Sequence, residues 1–338
     1  MSASPIEAKP SAGYSRTVAS TQTDTLHEDY ETMRSGCGLL DRSERGKLAL
    51  SGPDAVEFLN GQITNELVGL EPGEGRYAAF LTHKGKMLGD LRVLVVTGEE
   101  GPELLLDTER VSLQNLFDMI RRFKVGYRVE LHKRTLESGL LSLIGPEARE
   151  VAGGDLGAGE HANAPVEIGG VKALAIRTDL GVDLLCEAGD TDALASALRE
   201  RGASQVGEAA AECLRIESGR PRYGVDIDES TIPQEAGLNE RAVSFTKGCY
   251  VGQETVARLF YKGKPNRHLR GLRLDCLAPA GEELLLGERI VGTLTSVAES
   301  PRLGPVGLAL LRRESEPGAI VVGASGDVTA QVEALPFA

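Results

Sequence analysis

The sequence contains no tryptophan, and aromatic residues make up only 4% of its 338 positions. Its interior must therefore be built from aliphatic side chains, and the hydrophobic content of 41% is in the range usual for a globular protein. No apolar run approaches the roughly 18 residues that a membrane span needs. Residues 1–24 are rich in Ser, Thr, Ala and Pro and lack an apolar segment, so we expect a disordered tail there rather than a secretory signal.

Cysteine pairs at metal-binding spacing are missing as well. None of the five cysteines lies in a Cys-x-x-Cys motif or beside a histidine at zinc or iron–sulfur ligand spacing, so we predict no metal site. An odd number of scattered cysteines favours reduced thiols in a cytoplasmic protein. They are Cys37, Cys186, Cys213, Cys249 and Cys276.

The chain also lacks an excess of positive charge, because its formal net charge is −13. A protein of this charge does not coat nucleic acid through its overall field, although a local basic site remains compatible with it. We predict a monomer without a membrane partner.

Apolar patterning predicts an α+β fold in two parts. Up to residue 263 short helices and strands follow one another, including paired strands at 77–81 and 87–97 and an amphipathic helix at 112–123. From residue 267 short strands are separated by Gly and Pro turns, which is typical of a small β-barrel or sandwich. We therefore predict a first part over residues 25–263 and a C-terminal barrel over residues 264–338.

One segment concentrates chemically reactive residue types, with a cysteine between two glycines, a lysine before it and a helix after it. A cation and a helix N-terminus both favour the reactive thiolate form of a cysteine. The alternative is that Cys249 is a small buried apolar residue in a tight turn. The segment reads Lys247, Gly248, Cys249, Tyr250, Val251, Gly252, Gln253 and Glu254, and the predicted helix runs from Gln253 to Phe260 with Arg258 in its last turn.

Several motifs together resemble known proteins. The segments 50–55, 62–65, 214–219, 223–226 and 233–238 resemble the glycine cleavage T-protein superfamily. The segment 247–254 is similar to the signature of one branch, the YgfZ-type folate-binding proteins and their mitochondrial relatives in iron–sulfur cluster assembly. The resemblance covers roughly residues 27–335.

This resemblance implies a three-lobed ring of two interleaved α/β lobes and an antiparallel barrel, with tetrahydrofolate in a central hole. Glu217 would match the carboxylate that binds the pterin, since a carboxylate can accept two parallel N–H bonds. The alternative for Glu217 is a salt bridge at the end of a helix. The folate contacts that the resemblance implies are Glu217, Arg215, Asn65, Tyr77, Asp107 and Tyr223.

The predicted hairpin departs from the transferases of this superfamily, which carry two adjacent aspartates after a Gly-Gly turn. Here Gly89 stands at the first position and Asp90 at the second. A glycine has no side chain to stabilise charge at a reacting nitrogen, so we predict no aminomethyl transfer and a structural role for Asp90. The alternative is that Asp90 is a surviving catalytic acid, with Cys249 taking part.

A local basic strip lies between residues 255 and 274, where six basic residues occur without an acid. Such a strip is either a solvated face or a binding surface for the γ-carboxylates of a polyglutamyl folate, for RNA or for an acidic protein. Its members are Arg258, Lys262, Lys264, Arg267, Arg270 and Arg273.

Three functional hypotheses follow from the sequence. The first is an accessory protein that binds tetrahydrofolate and acts through the 247–254 motif on iron–sulfur clients or assembly proteins. The second is a folate-dependent aminomethyltransferase or demethylase. The third is an RNA- or protein-binding module that uses the basic strip.

Overall fold

The computed structural model describes residues 12–98 and 101–338, with side chains from residue 24 onward. In these residues the chain forms a five-stranded sheet, a six-stranded sheet and a closed six-stranded barrel. The helices are α1 Ala12–Ser35, α2 Ala55–Asn60, α3 Leu113–Phe123, α4 Ala148–Ala152, α5 Thr191–Glu200, α6 Glu208–Glu217, α7 Asn239–Ala242 and α8 Gln253–Lys262. The strands are β1 Gly38–Asp41, β2 Gly46–Ser51, β3 Gly75–Leu81, β4 Met87–Gly98, β5 Gly101–Thr108, β6 Glu130–Lys133, β7 Ser138–Ile144, β8 Asn163–Ile168, β9 Val171–Arg177, β10 Gly181–Glu187, β11 Ser204–Gln205, β12 Arg267–Leu274, β13 Glu283–Leu286, β14 Arg289–Ser300, β15 Gly304–Arg312, β16 Ile320–Gly323 and β17 Thr329–Glu333.

The five-stranded sheet has the order β3-β4-β5-β2-β6. Helices α2 and α3 cover one of its faces with buried residues such as Phe58 and Leu116. The β3–β4 turn is tight, and Gly85 supplies its positive φ of 76°. The predicted hairpin is therefore present, and its two strands carry their alternate side chains to opposite faces of this sheet.

The six-stranded sheet has the order β11-β1-β7-β10-β9-β8. Its pairs are antiparallel except for the short parallel pair β1–β11. Sequence patterning missed β1, β8 and β11, because two of them are very short and β8 follows a Gly- and Ala-rich segment. Helices α4 and α5 pack on this sheet and complete a separate aliphatic core.

The last six strands close into a barrel in the order β12-β15-β14-β13-β16-β17. Its interior is aliphatic, with Leu272, Leu294 and Val321 fully buried. Every pair in the barrel is antiparallel. The predicted α+β fold with a C-terminal antiparallel barrel is confirmed.

Helix α1 begins within the segment that was predicted to be a disordered tail. Residues 1–11 of that segment lie outside the described residues, and the backbone is helical from Ala12. No proline occurs between Ala12 and Ser35, and the helix is packed at its C-terminal end, where Tyr30 and Met33 are buried.

No helix in the described ranges 12–98 and 101–338 is long and apolar enough to cross a membrane.

Candidate folate-binding cavity and motif surface

A polar cavity of about 250 Å³ lies where the two sheets approach the loop that follows α6. It brings together four of the residues that the sequence singled out, namely Tyr77, Asp90, Arg215 and Tyr223. Further lining residues are Arg42, Arg45, Leu91, Arg92, Glu109, Ser142, Ile144, Glu160, His161, Thr178, Asp179, Leu180, Asp183, Pro221, Arg222 and Arg241.

The hairpin β3–β4 places Tyr77 and Asp90 side by side in this cavity. The Tyr77 hydroxyl donates a hydrogen bond of 2.6 Å to Asp90 Oδ2. Burial raises the pKa of Asp90 to about 6, although the hydrogen bond from Tyr77 acts in the opposite direction. Burial and the neighbouring Asp90 also raise the pKa of Tyr77. A carboxyl group with this pKa can accept or donate a proton near neutral pH.

Gly89 faces away from the cavity, and this corrects the argument drawn from the missing aspartate. A Cβ atom at Gly89 would lie 2.5 Å from two ring carbons of Phe80 and 2.6 Å from Ser112 Cβ. Both of these residues are fully buried in the core of the five-stranded sheet. Because successive strand residues point to opposite faces, the glycine removes no group from the cavity, and Asp90 is the one of the two positions that faces it.

A buried ionic network forms one wall of the cavity. Arg92 on β4 pairs with Asp107 on β5 and with Asp183 on β10, so it ties the two sheets together. Arg45 pairs with Asp107 at 2.6 Å. Although burial opposes ionisation, Arg45 and Arg92 hold the pKa of Asp107 at about 2. Asp107 itself is therefore a partner of the cavity arginines and is not among the residues that line the cavity.

Arg215 and Glu217 lie on nearly opposite sides of α6, because residues two positions apart in a helix are separated by about 200° around its axis. Arg215 lines the cavity, and its guanidinium bonds Asp226 Oδ2 at 2.7 Å. The Glu217 carboxylate instead accepts hydrogen bonds from the hydroxyls of Tyr30 and Ser300. The expected pterin carboxylate is thus placed between α1 and the barrel, outside the cavity.

Asn65 also lies behind the cavity wall rather than in it. Its Nδ2 donates to the carbonyl oxygens of Tyr77 at 2.8 Å and Arg241 at 3.2 Å. Asn65 therefore supports the backbone of two residues that line the cavity. Tyr223 does line it, and burial raises the pKa of this tyrosine to about 12.

Several cavity residues were missed by the sequence analysis, notably Arg92, Glu160, His161, Asp183 and Arg241. Glu160 and Arg241 are paired, although Glu160 lies in the loop before β8 and Arg241 lies in α7, about 80 positions later in the sequence. Arg92 and Asp183 gave a local signal, because each is a lone charge in an apolar run, from Leu91 to Val95 and from Val182 to Cys186. The others lie in segments whose spatial proximity depends on the tertiary fold.

Comparisons with known proteins agree with this architecture. Residues 8–247 match the family model described as GCVT N-terminal domain. The chain is 30% identical over 324 residues to the aminomethyltransferase of Rubrobacter xylanophilus, covering 92% of this chain and 86% of that protein. The chain belongs to the aminomethyltransferase-like family with a GCVT N-terminal domain.

Two further relatives of this family extend the comparison. The crystal structure of glycine cleavage system aminomethyltransferase T from Bartonella henselae has a TM-score of 0.81 and 26% identity, with 93% of this chain and 89% of that chain covered. A putative chloroplastic transferase of Arabidopsis thaliana is 26% identical, with 93% of this chain and 74% of that protein covered. The predicted resemblance to the glycine cleavage T-protein superfamily is confirmed. The match to the family model ends at Lys247.

The segment 247–254 that follows the family match is held firmly at its lysine. Lys247 is buried, and its Nζ donates to the carbonyl oxygens of Asn60, Ile63 and Asn65 at 2.6–3.0 Å. Burial lowers the pKa of Lys247 to about 8. The expectation that Lys247 supplies a cation to Cys249 is therefore wrong, because the ammonium points into the protein.

The rest of the motif packs against the β3–β4 hairpin. Tyr250 is buried, and Gly252 adopts a positive φ of 84° directly before α8. A Cβ atom at Gly252 would lie 2.6 Å from the carbonyl oxygen of Thr82, so only glycine fits without displacement. The side chains of Gln253, Glu254 and Arg258 lie on α8, and none of the motif residues lines the cavity in the described part of the chain.

Cys249 itself is exposed, which excludes the alternative of a buried apolar cysteine. Cys276, between β12 and β13, is exposed as well, whereas Cys37, Cys186 and Cys213 are buried. Helix α8 beside Cys249 buries only Val256 and exposes Phe260 and Tyr261. The motif thus places a thiol on the surface, beside a helix that exposes two aromatic side chains.

The basic strip is divided between two different settings. Arg267 and Arg273 are paired with Glu235 and Glu333, and Arg270 lies 3.7 Å from Glu316. Arg258, Lys262 and Lys264 are exposed on and after α8. Because half of the strip is paired with acids of this chain, it does not present six unpaired charges to RNA or to a polyglutamate tail.

Proposed function

We propose that this protein binds tetrahydrofolate, or a polyglutamyl derivative, in the cavity and serves iron–sulfur proteins through Cys249. On this reading it is a cytoplasmic accessory protein of the YgfZ type, and its partners are iron–sulfur clients or assembly proteins. The observation that supports the accessory role is that Cys249 is exposed, whereas Lys247 and Tyr250 on either side of it are buried.

Folate binding is supported by the chemistry of the cavity. It is polar, it lies between packed elements, and it holds Tyr77, Asp90, Arg215 and Tyr223 on one surface. A site of this kind combines fixed hydrogen-bonding groups with a preformed scaffold. Arg42, Arg222 and Arg241 at its wall are each paired with an acid of this chain, so fixed hydrogen-bonding groups, and not unpaired positive charge, support folate binding.

Filling the cavity with a large side chain is expected to weaken folate binding. Thr178 lines the cavity, so Thr178→Trp occupies the space of the ligand and should weaken the affinity for tetrahydrofolate at least about tenfold, or roughly 1.4 kcal/mol. Isothermal titration calorimetry measures this, and Thr329→Trp on the exposed side of β17 is the matched control. Absence of binding by the unmodified protein would refute the folate proposal.

The same titration of Glu217→Gln tests the role that the resemblance gives to Glu217. This substitution is expected to leave the affinity for tetrahydrofolate unchanged.

The accessory role is supported by how the motif is built. Lys247 is fixed by three backbone carbonyls, Tyr250 is buried and Gly252 fits tightly against the hairpin turn. These contacts hold the Cys249 backbone in place while its thiol remains exposed. A fixed, accessible thiol is suited to contact a second protein or its cluster.

Removing the Cys249 thiol is expected to abolish the accessory function without unfolding the protein. In a bacterial strain that lacks its own iron–sulfur maintenance factor, the unmodified protein should restore iron–sulfur enzyme activity. Cys249→Ser should restore less than about a tenth of it, since a hydroxyl cannot replace a thiolate. Cys276→Ser, the other exposed thiol, should behave as the unmodified protein. Full restoration by Cys249→Ser would contradict the proposed role of the thiol.

A folate-dependent aminomethyltransferase or demethylase is the second candidate function. It is favoured by Asp90, a buried cavity carboxyl whose pKa of about 6 suits proton transfer at neutral pH. The similar protein of Rubrobacter xylanophilus carries the name aminomethyltransferase. Steady-state turnover with a one-carbon donor and tetrahydrofolate separates the two candidates, because the accessory role requires binding without turnover.

A further inference from the structure

His161 is a buried cavity residue whose ring nitrogens have no hydrogen-bond partner among the described residues. Its side chain is only 8% exposed. Glu160 Oε1 lies 3.5 Å from Nε2, but the geometry is not that of a hydrogen bond, and this carboxylate is taken by Arg241. Leaving a buried donor or acceptor without a partner is unfavourable, so this ring is suited to bond a ligand.

The charged side chains of the cavity differ from His161 because they already have partners. Each of them already has an ionic or hydrogen-bonding partner within the described residues. Asp90 is bonded by Tyr77, Arg92 by two aspartates, and Arg241 by Glu160. The imidazole is thus the buried group of this cavity that is left for a ligand.

The backbone holds His161 in a strained conformation. Its φ of 68° lies in the left-handed region, the only positive φ of a non-glycine residue in the described chain. Its N–H donates to the Arg177 carbonyl at 2.9 Å, and Gly75 allows close approach, since a Cβ there would lie 2.8 Å from His161 Cβ. Backbone strain of this kind persists where surrounding contacts fix it, and it concentrates at functional positions.

We propose that His161 binds the uncharged pteridine ring of the folate by hydrogen bonds, acting as a neutral imidazole. A neutral imidazole offers one donor and one acceptor, and the pteridine ring presents N–H and carbonyl groups side by side. This inference rests on the proposed folate binding in the cavity. It assigns ring recognition to the loop before β8 instead of to Glu217.

Burial, more than the charges around it, keeps the His161 ring neutral. Burial, followed by the positive charges of Arg92 and Arg241, lowers the pKa of His161 to about 3, whereas Asp107 and Asp183 act in the opposite direction. Glu160 also faces the ring, but its charge is matched by Arg241. The imidazole therefore stays uncharged over the physiological pH range.

The test compares the unmodified protein with His161→Phe and His161→Asn. Calorimetry with tetrahydrofolate should show affinity weakened at least about tenfold in both variants. Asparagine tolerates a positive φ, so His161→Asn separates the loss of the imidazole from backbone strain. The melting temperature of ligand-free His161→Asn should not fall by more than about 4 °C, because asparagine tolerates the positive φ that would strain phenylalanine. In ¹⁵N NMR spectra the His161 ring should remain neutral between about pH 5 and 8 and shift on folate addition.

Three results would overturn this inference in different ways. If the unmodified protein binds tetrahydrofolate and both variants bind it equally well, His161 is not a ligand contact although the folate proposal stands. If the unmodified protein does not bind tetrahydrofolate, both proposals fail together. A lowered melting temperature with unchanged affinity would assign His161 a purely structural role.

Discussion

Replacing Gly89 by aspartate, the residue that the resemblance to the T-protein transferases implies at this position, is expected to destabilise the protein by about 3–5 kcal/mol. The new side chain would enter the space of the Phe80 ring and Ser112, which are fully buried. It would also place a carboxylate in an aliphatic core without a counter-ion, where an ionised group is strongly disfavoured. The substitution is therefore predicted to damage the fold and not to add a catalytic group to the cavity.

Urea unfolding monitored by circular dichroism measures this loss. Gly89→Ala, which brings the same Cβ contact without the charge, should be destabilised less than Gly89→Asp. Gly189→Asp is the matched control, because this exposed glycine has no heavy atom within 4 Å of its Cβ position, and its free energy of unfolding should change by less than about 0.5 kcal/mol. A Gly89→Asp protein that is as stable as the unmodified one would show that position 89 does not face the core.

Replacing Asp90 by asparagine is expected to lower any one-carbon transfer rate by about 10²–10⁴-fold, the usual contribution of a positioned acid or base. The amide keeps an oxygen that can accept the Tyr77 hydrogen bond, so the cavity geometry should persist. Steady-state turnover on the unmodified and variant proteins gives the ratio. An unchanged rate in Asp90→Asn would exclude Asp90 as the catalytic acid, and no turnover in either protein would favour the accessory role.

The same variant has a stability signature that does not depend on turnover. Because the folded-state pKa of Asp90 is raised to about 6, the folded protein binds more protons at this site than the unfolded chain between about pH 4 and 6. This residue therefore adds stability as the pH falls through that window and is unfavourable above it. Asp90→Asn should be at least as stable as the unmodified protein at pH 7, and this difference should shrink on acidification. A variant that is markedly less stable at neutral pH would contradict the assigned pKa.

Local sequence patterns were sufficient for much of the fold. The apolar spacing over 112–123 predicted the helix that the structure has at Leu113–Phe123, and the Gly- and Pro-separated strands after residue 267 predicted the closed barrel. These elements depend on periodicity and turn residues, which act over a few positions. The segment 247–254 also stands out from its residues alone, and its assignment to the YgfZ-type branch stays a prediction.

The tertiary structure decided which side chains meet and where they point. It alone shows that Lys247 is turned inward, that Gly89 faces the core while Asp90 faces the cavity, and that His161 joins residues from both sheets. It also shows that Glu217, expected to bind the ligand, is buried and accepts a hydrogen bond from Tyr30. The direction of a side chain depends on strand register and helix rotation, and its burial depends on distant segments, so neither is contained in a local motif.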